Sequence, residues 1–268
     1  MKACVVQMNS QADKAANLEQ AFDLIERAAL QEKPDLIVLP ETFTLLSGDL
    51  GAKRDGAEQV PHGPVCRALA EAAKRHQFYL HAGSMLEDAG ARLHNTSVAF
   101  APDGTLLAIY RKMHLFDVET PGGKQYLESA YIAPGDQLVT YQADGHTVGC
   151  SICYDLRFAT LYRRLRDAGS AIIVAPSAFT LQTGKDHWDL LVRARAVETQ
   201  SYVLAPNQTG SFDDGKRACY GHSMIVDPWG HVIARCSDTI GYACARLNFD
   251  YLASVRARMP VANHHVLD

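Results

Sequence analysis

The chain has 268 residues, 47% of them hydrophobic and 21% charged, enough apolar material for a core and too much for a chain disordered along its length. Its 26 Lys and Arg against 30 Asp and Glu leave a formal net charge of −4, which excludes a nucleic-acid binder that works by bulk basic charge. The longest apolar runs, such as 36–39 and 171–175, fall far short of the ~20 residues that span a bilayer, and the opening residues lack the apolar stretch of an export signal. The expectation is a cytoplasmic protein that neither enters a membrane nor binds nucleic acid. Seven cysteines in such a chain read as small buried hydrophobes without structural disulfides, one of them a candidate nucleophile.

In chain order, residues 2–7 read as a strand. Leu18, Phe22, Ile25 and Ala29 recur at helical spacing and predict a helix over 14–30. Leu36 to Leu39 is a continuous apolar run, the pattern of a strand buried on both faces, and it ends at Pro40-Glu41. A helix at 64–77 leads to a strand at 78–85. Segments 93–100 and 105–110 flank Pro102-Asp103-Gly104 and predict a hairpin. Strand 146–152 precedes helix 157–168, strand 171–175, helix 186–199 and strand 202–205. Strands at 222–226, 231–235 and 240–247, a short helix from Phe249 and an irregular tail complete the chain. Alternating helices and strands followed by hairpins indicate a layered α/β fold with mixed sheets. No repeat or linker divides the chain, so residues 1–268 are expected to form one domain.

Ligands of open α/β folds collect beyond the carboxyl ends of strands, which draws attention to the residues there. Cys153 stands where a strand runs into a helix, a placement that exposes a side chain and favours loss of the thiol proton. A buried, inert cysteine is the alternative. Cys150 and Cys153 form a CxxC, but a separation of three along a strand puts the side chains on opposite faces, and no second ligand pair completes a metal site. Glu41 closes an apolar strand, where a carboxylate partly withdrawn from water suits general-base work; a capping or solvated Glu is the plainer reading. Lys112 ends another strand and is placed either to steady negative charge on a reacting carbonyl or simply to face solvent. Glu128 stands in an irregular stretch and says little alone.

Together, a Glu after Leu39-Pro40, a Lys in Tyr110-Arg111-Lys112-Met113-His114-Leu115 and a Cys in Ile152-Cys153-Tyr154-Asp155-Leu156-Arg157-Phe158 resemble the nitrilase superfamily of carbon–nitrogen hydrolases. Further matching pieces are Asn95-Thr96-Ser97, Pro176-Ser177-Ala178-Phe179, Thr183-Gly184 with His187-Trp188, Arg193-Ala194-Arg195-Ala196 with Glu198-Thr199-Gln200, and the stretch from Gly221 to Gly230. Within the superfamily the likeness is to the Nit branch of deaminated glutathione amidases, with ω-amidases next.

The resemblance implies a four-layer αββα sandwich and a Glu41–Lys112–Cys153 triad, with Glu128 orienting the lysine and the substrate. It implies an oxyanion held by Lys112 and the Tyr154 N–H, and a substrate wall containing Arg157, Ser177, Ala178, Phe179 and His187. For Arg157, pairing with Asp155 or Glu198 is the competing reading; Arg193 and Arg195 are expected on a solvated or interface face. The implied reaction is hydrolysis of a small amide through a Cys thioester, releasing ammonia, with no metal or organic cofactor. The implied assembly is at least a homodimer, with the tail at 259–268 a candidate for exchange between subunits. A strict nitrilase, a catalytically silent scaffold and a dithiol oxidoreductase using Cys150 and Cys153 are the alternatives.

Overall fold

The computed structural model describes residues 1–120, 123, 125–264 and 266. Its first elements follow the predicted periodicity: β1 (Lys2–Gln7), α1 (Lys14–Glu32) and β2 (Leu36–Val38). α1 begins at Asp13, whose side chain accepts the Ala16 N–H, and ends at Lys33 in the left-handed region. A helix not expected from periodicity, α2 (Leu50–Asp55), is likewise capped, by Asp49 accepting from the Ala52 N–H. α3 (Pro64–His76), β3 (Tyr79–His81), β4 (Met85–Asp88), β5 (Leu93–Phe100) and β6 (Leu106–Arg111) follow. A two-stranded ribbon comes next, β7 (Asp117–Glu119) with β8 (Gln125–Leu127), then β9 (Thr140–Ala143) and β10 (His146–Cys150).

A 3-10 turn, Cys153–Arg157, precedes the predicted helix 157–168, which forms as α4 (Ala159–Asp167) and is followed by β11 (Ile172–Val174). α5 (Leu181–Thr199) starts earlier than its apolar pattern, because the Thr180 side chain accepts the Thr183 N–H and caps it there. After β12 (Tyr202–Ala205), a second unexpected ribbon joins β13 (Thr209–Phe212) to β14 (Arg217–Tyr220). β15 (Met224–Val226), β16 (Val232–Arg235), β17 (Gly241–Arg246), α6 (Phe249–Arg258) and a 3-10 turn, Val261–His264, end the chain. Of the tail, His265, Leu267 and Asp268 lie outside the described residues. No helix among the described residues is long and apolar enough to cross a membrane.

Two mixed sheets carry the fold. One runs β17-β1-β2-β3-β5, with β4 also on β5 beside β3 and β6 on its other edge; the second runs β16-β15-β12-β11-β10-β9. β1, β2 and β3 are parallel, as are β10, β11 and β12, so their carboxyl ends share an edge within each sheet. Strand alternation sorts the core. Ala3, Val5, Leu36 and Val38 join a cluster with Val148, Ile172 and Val174 of the second sheet and with Leu161, Trp188 and Val192 of α4 and α5. Their neighbours Cys4, Val6, Ile37 and Leu39 face the other way, against Leu24, Ile25 and Leu69 of α1 and α3. Helices thus cover the outer faces of two packed sheets, the expected αββα layering.

Two expectations change. Cys4 and Cys244 stand directly opposite in the β1–β17 register, with Cα atoms 4.1 Å apart, and form a disulfide. Their juxtaposition comes from pairing strands at opposite ends of the chain, which no local pattern announces. The other five cysteines are free and buried. The predicted strand 78–85 is broken into β3 and β4: from His81 to Met85 the chain takes four steps, while β5 opposite takes three from Ala99 to Thr96. The extra residue makes a bulge around Gly83, which has φ 44°. The freed backbone turns to the residues after β2. The Ser84 N–H donates to the Pro40 carbonyl (3.2 Å), the Ser84 hydroxyl accepts the Thr42 N–H (3.0 Å) and the Ser84 carbonyl accepts the Phe43 N–H (3.1 Å). These bonds bracket Glu41.

A Cβ at position 83 would collide with the Leu39 and Pro40 backbone. Gly83→Ala is therefore expected to cost more than the roughly 1–3 kcal/mol of a left-handed non-glycine residue, seen as a lower urea midpoint with an unchanged slope.

Candidate active site

Strand ends deliver the reactive side chains to one cavity of about 230 Å³ between the sheets. Glu41 follows β2, Lys112 follows β6, and Cys153 follows β10 by three residues. Ala178 and Phe179 lie beyond β11, and all five line the cavity with Asn95, Glu128, Tyr154 and Arg157.

Lys112 is 2% exposed and lies between two carboxylates. Its Nζ donates to Glu41 Oε1 at 3.0 Å and to Glu128 Oε2 at 2.9 Å and Oε1 at 3.1 Å. Burial works against the lysine's charge, but Glu128 and Glu41 outweigh it and hold its pKa well above the ordinary value, so the ammonium persists through the neutral range. Asn95 Nδ2 braces the pair, donating to Glu41 Oε1 at 2.9 Å and to Glu128 Oε1 at 3.4 Å. Backbone amides complete the shell: Ala178 N–H to Glu41 Oε2 at 2.8 Å and Phe116 N–H to Glu128 Oε2 at 2.6 Å. Every carboxylate oxygen is thus oriented.

Cys153 has φ 48°, a strained setting for a residue with a side chain. Its N–H donates to the Pro176 carbonyl (2.9 Å). Asp155, fully buried, secures the turn. It accepts from the Ile152 N–H (2.9 Å), the Tyr110 hydroxyl (2.7 Å) and the His114 N–H (3.1 Å), and His114 Nδ1 lies 2.7 Å from it. Residues flanking Lys112 on both sides are therefore tied to the turn that carries the sulfur.

The expectation of an easily ionised thiol is overturned. Burial, and then the Glu41 charge and its hydrogen bond with the thiol, push the Cys153 pKa well above the ordinary range, against an opposing pull from Lys112. A single 3-10 turn follows the cysteine where a helix was expected, so no long helix dipole offsets these effects. The resting arrangement is a neutral thiol beside a carboxylate.

The remaining expected residues divide. Arg157 is half-buried, with its guanidinium 5.8 Å from the Tyr154 ring centre and 5.7 Å from that of Phe179, and 3.3 Å from His187 Nδ1. Neither proposed acid partner takes it: Asp155 is engaged as above, and Glu198 pairs with Arg195. Ala178 reaches the site through its backbone. Ser177 is not at the cavity wall; its hydroxyl donates to the Ala175 carbonyl at 2.9 Å. His187 is exposed and stands behind Arg157 rather than at the wall. Arg195 is a further correction, being 6% exposed, with its Nε donating to the Leu156 carbonyl at 2.8 Å and so fastening α5 to the nucleophile turn. Cys150 is 1% exposed in the strand core, three residues before Cys153, and burial raises its pKa. Among the described residues no group of three His, Cys, Asp or Glu side chains is arranged to hold a metal ion.

Sequence reasoning did not single out the brace Asn95, although Asn-Thr-Ser in the hairpin was its signal. It also missed Lys53, Tyr131 and Arg217, which line the cavity from α2, the loop before β9 and the β13–β14 ribbon. None belongs to a run that alternation or helical periodicity marks.

Comparison with known proteins agrees with this geometry. The carbon–nitrogen hydrolase family model matches residues 2–257. The chain is 39% identical over 264 residues to omega-amidase NIT2 of Danio rerio, covering 97% of this chain and 92% of the relative. It is 39% identical over 269 residues to a deaminated glutathione amidase of Synechocystis, covering 98% and 97%. Among solved structures, Nit3 of Saccharomyces cerevisiae, described as a member of branch 10 of the nitrilase superfamily, superposes with a TM-score of 0.87 at 31% identity, covering 97% of this chain and 94% of that one. A buried Glu–Lys–Glu network beside a strained cysteine, within an αββα sandwich and with relatives along its whole length, places the chain in the carbon–nitrogen hydrolase family of the nitrilase superfamily.

Proposed function

We propose that residues 1–268 act as one thiol amidohydrolase domain that cleaves the amide of a small carboxylic acid through a Cys153 thioester. The observation that carries this reading is the meeting of Cys153, Glu41 and Lys112 on one cavity. Glu41 takes the thiol proton as the sulfur attacks the amide carbon, so thiolate forms only as the carbon–sulfur bond does. The raised thiol pKa favours such concerted transfer over a standing thiolate. Lys112 Nζ and the Tyr154 N–H steady the oxyanion, Glu128 holding the lysine in place. As the tetrahedral adduct collapses, the carbon–nitrogen bond breaks and Glu41 returns its proton to the departing amine. Water, deprotonated by Glu41, then attacks the thioester; the acid leaves and the thiol is restored. The steps need no metal or organic cofactor.

Arg157 and Phe179 form part of the substrate wall, while Ala178 orients the base. Ser177 and His187 support that wall from behind. Deaminated glutathione is our first choice of substrate, supported by the Synechocystis relative. An α-keto ω-amide is the second, supported by the zebrafish relative at the same identity. For a primary amide the departing amine is ammonia; for deaminated glutathione it is the amine of the dipeptide. We place the enzyme in the cytoplasm, a reading supported by the five cysteines that are free and buried, with the Cys4–Cys244 pair the exception in a compartment that keeps most thiols reduced. We also propose a homodimer. α5 leaves Leu190 (68% exposed) and Val197 (50%) uncovered, and Gly230 packs on Val197 in the turn that exposes Trp229 (48%).

Three outcomes test these assignments. Mass spectrometry after brief mixing with each amide is expected to show an acyl adduct on Cys153, and Cys153→Ala to lose the adduct and all amine release; turnover persisting in that variant would exclude the covalent route. Glu41→Gln is expected to lower the pH at which the Cys153 thiolate absorbance rises, because the neighbouring negative charge is gone, while turnover falls on the order of 10²–10⁴-fold. Val197→Asp is expected to shift the sedimentation coefficient from dimer toward monomer.

A further inference from the structure

Behind the cavity wall lies a set of buried polar side chains that the mechanism does not use. The apolar strand β12 runs on through Pro206 into Asn207 and Gln208, which are fully buried and do not line the cavity. Amide side chains are costly to bury unless they are hydrogen-bonded, and each side-chain oxygen and nitrogen of these two has a partner. Gln208 Nε2 donates to the Glu41 carbonyl at 3.0 Å and to the Ser10 hydroxyl at 2.9 Å, while its Oε1 accepts the Ser10 N–H at 3.0 Å. Asn207 Oδ1 accepts the Phe179 N–H at 3.0 Å, and its Nδ2 donates to the Gly221 carbonyl at 2.8 Å.

Asn207 acts on the segment that faces Glu41. The Ser177 N–H donates to the Pro206 carbonyl and the Gln208 N–H to the Ser177 carbonyl, both at 2.9 Å. With the Asn207–Phe179 bond added, the backbone is fixed on both sides of Ala178, whose N–H meets Glu41 Oε2 at 2.8 Å. Asn207 is itself braced from β1. The Ser223 hydroxyl accepts the Asn207 N–H at 2.8 Å and donates to Gln7 Oε1 at 3.0 Å, and that oxygen also accepts the Ser223 N–H at 2.8 Å. Gln7 is fully buried at the end of β1, with its Nε2 donating to the Ser237 and Thr239 carbonyls at 2.6 and 2.8 Å. Adjacent residues thus reach Glu41 from opposite ends, one through its main chain and one through the amide that meets its carboxylate.

We propose that Asn207 and Gln208 are positioning residues for the general base, fixing Glu41 beside the sulfur between its own carbonyl and the Ala178 amide, with Gln7 and Ser223 bracing Asn207 from β1. This rests on the amidase reading above and deepens it. The Ala178 N–H serves twice. It orients Glu41 Oε2, and it acts on the sulfur: burial and the Glu41 charge raise the Cys153 pKa, while Lys112 and the Ala178 N–H work against that rise. An Ala178 amide released from its place leaves the rise less opposed, so the thiolate appears at a higher pH. Loss of Gln208 frees the Glu41 main chain but leaves that amide in place, and brings no such rise. Turnover suffers in both cases, because a misplacement of about 1 Å can cost on the order of 10²-fold in rate.

The test uses the full chain. Asn207→Ala is expected to raise the pH at which the Cys153 thiolate absorbance appears, read as the difference from the same variant carrying Cys153→Ala. It is also expected to lower kcat for deaminated glutathione by roughly 10- to 100-fold with KM little changed. Asn207→Ser, with room for a water against the Phe179 N–H, is the milder variant should Asn207→Ala not fold, and is expected to move both readings the same way. Gln208→Leu is expected to lower kcat without raising the thiolate pH. Ser201→Ala is the control: it removes a buried hydroxyl that donates to the Ser170 carbonyl at 2.9 Å, ahead of β11 and β12, and is expected to lower the urea midpoint and move neither reading. An unchanged kcat in Asn207→Ala, a loss of kcat with the thiolate pH unmoved, or an equal rise in Ser201→Ala overturns the positioning role. A chain that releases no amine, yet whose thiolate pH rises in Asn207→Ala, would uphold that role and defeat the amidase reading; amine release through Cys153 with the thiolate pH unmoved would do the reverse.

Discussion

The structure depends on one buried ammonium. Lys112 is removed from water, and its charge persists only because Glu41 and Glu128 grip it from two sides. Each of the three comes from a different part of the chain, so the network cannot form until the strand ends have converged. Isolated burial of any of these charges would be costly, and removing one partner from such a pair costs on the order of 3–5 kcal/mol. The network therefore discriminates sharply between correct and incorrect packing at the centre of the molecule. It also leaves one negative charge in excess, adjacent to the sulfur.

That excess negative charge explains the state of the Cys153 thiol. Beside a carboxylate and away from water, the Cys153 thiol keeps its proton at rest. An environment that raises a thiol pKa is a poor place for a free thiolate and a good one for proton transfer to the neighbouring carboxylate. The strain at Cys153 is held by the Asp155 hub, whose partners on β6 and after it belong to the same segment as Lys112. Cys153 and Lys112 are thereby positioned by one buried carboxylate, while Glu41 is positioned by the Gly83 bulge and by the Ala178 amide from the opposite sheet.

Electrostatics across the cavity are divided. Glu41 and Glu128 make the reacting end anionic apart from Lys112, whereas Lys53, Arg217 and Arg157 supply positive charge elsewhere on the wall. The segments that supply it, α2 and the β13–β14 ribbon, are short and lie outside the two main sheets, so they are able to vary without disturbing the catalytic frame.

Much of this was legible in the sequence. The buried parallel strands showed as apolar runs, α1 and α3 as helical periodicity, and Glu41, Lys112 and Cys153 as polar residues closing strands within a recognisable set of motifs. Local signals of this kind survive because strand alternation and helix periodicity are properties of neighbouring residues. Tertiary structure alone decided the rest. It split the strand at Gly83, because a bulge is defined by the partner strand. It paired Cys4 with Cys244, because their strands come from opposite ends of the chain, and it sent Arg195 inward to a carbonyl and Ser177 away from the cavity. It raised the Cys153 pKa, because the charge beside the sulfur is 112 positions away in sequence, and it brought Lys53 and Arg217 together by the same long-range convergence.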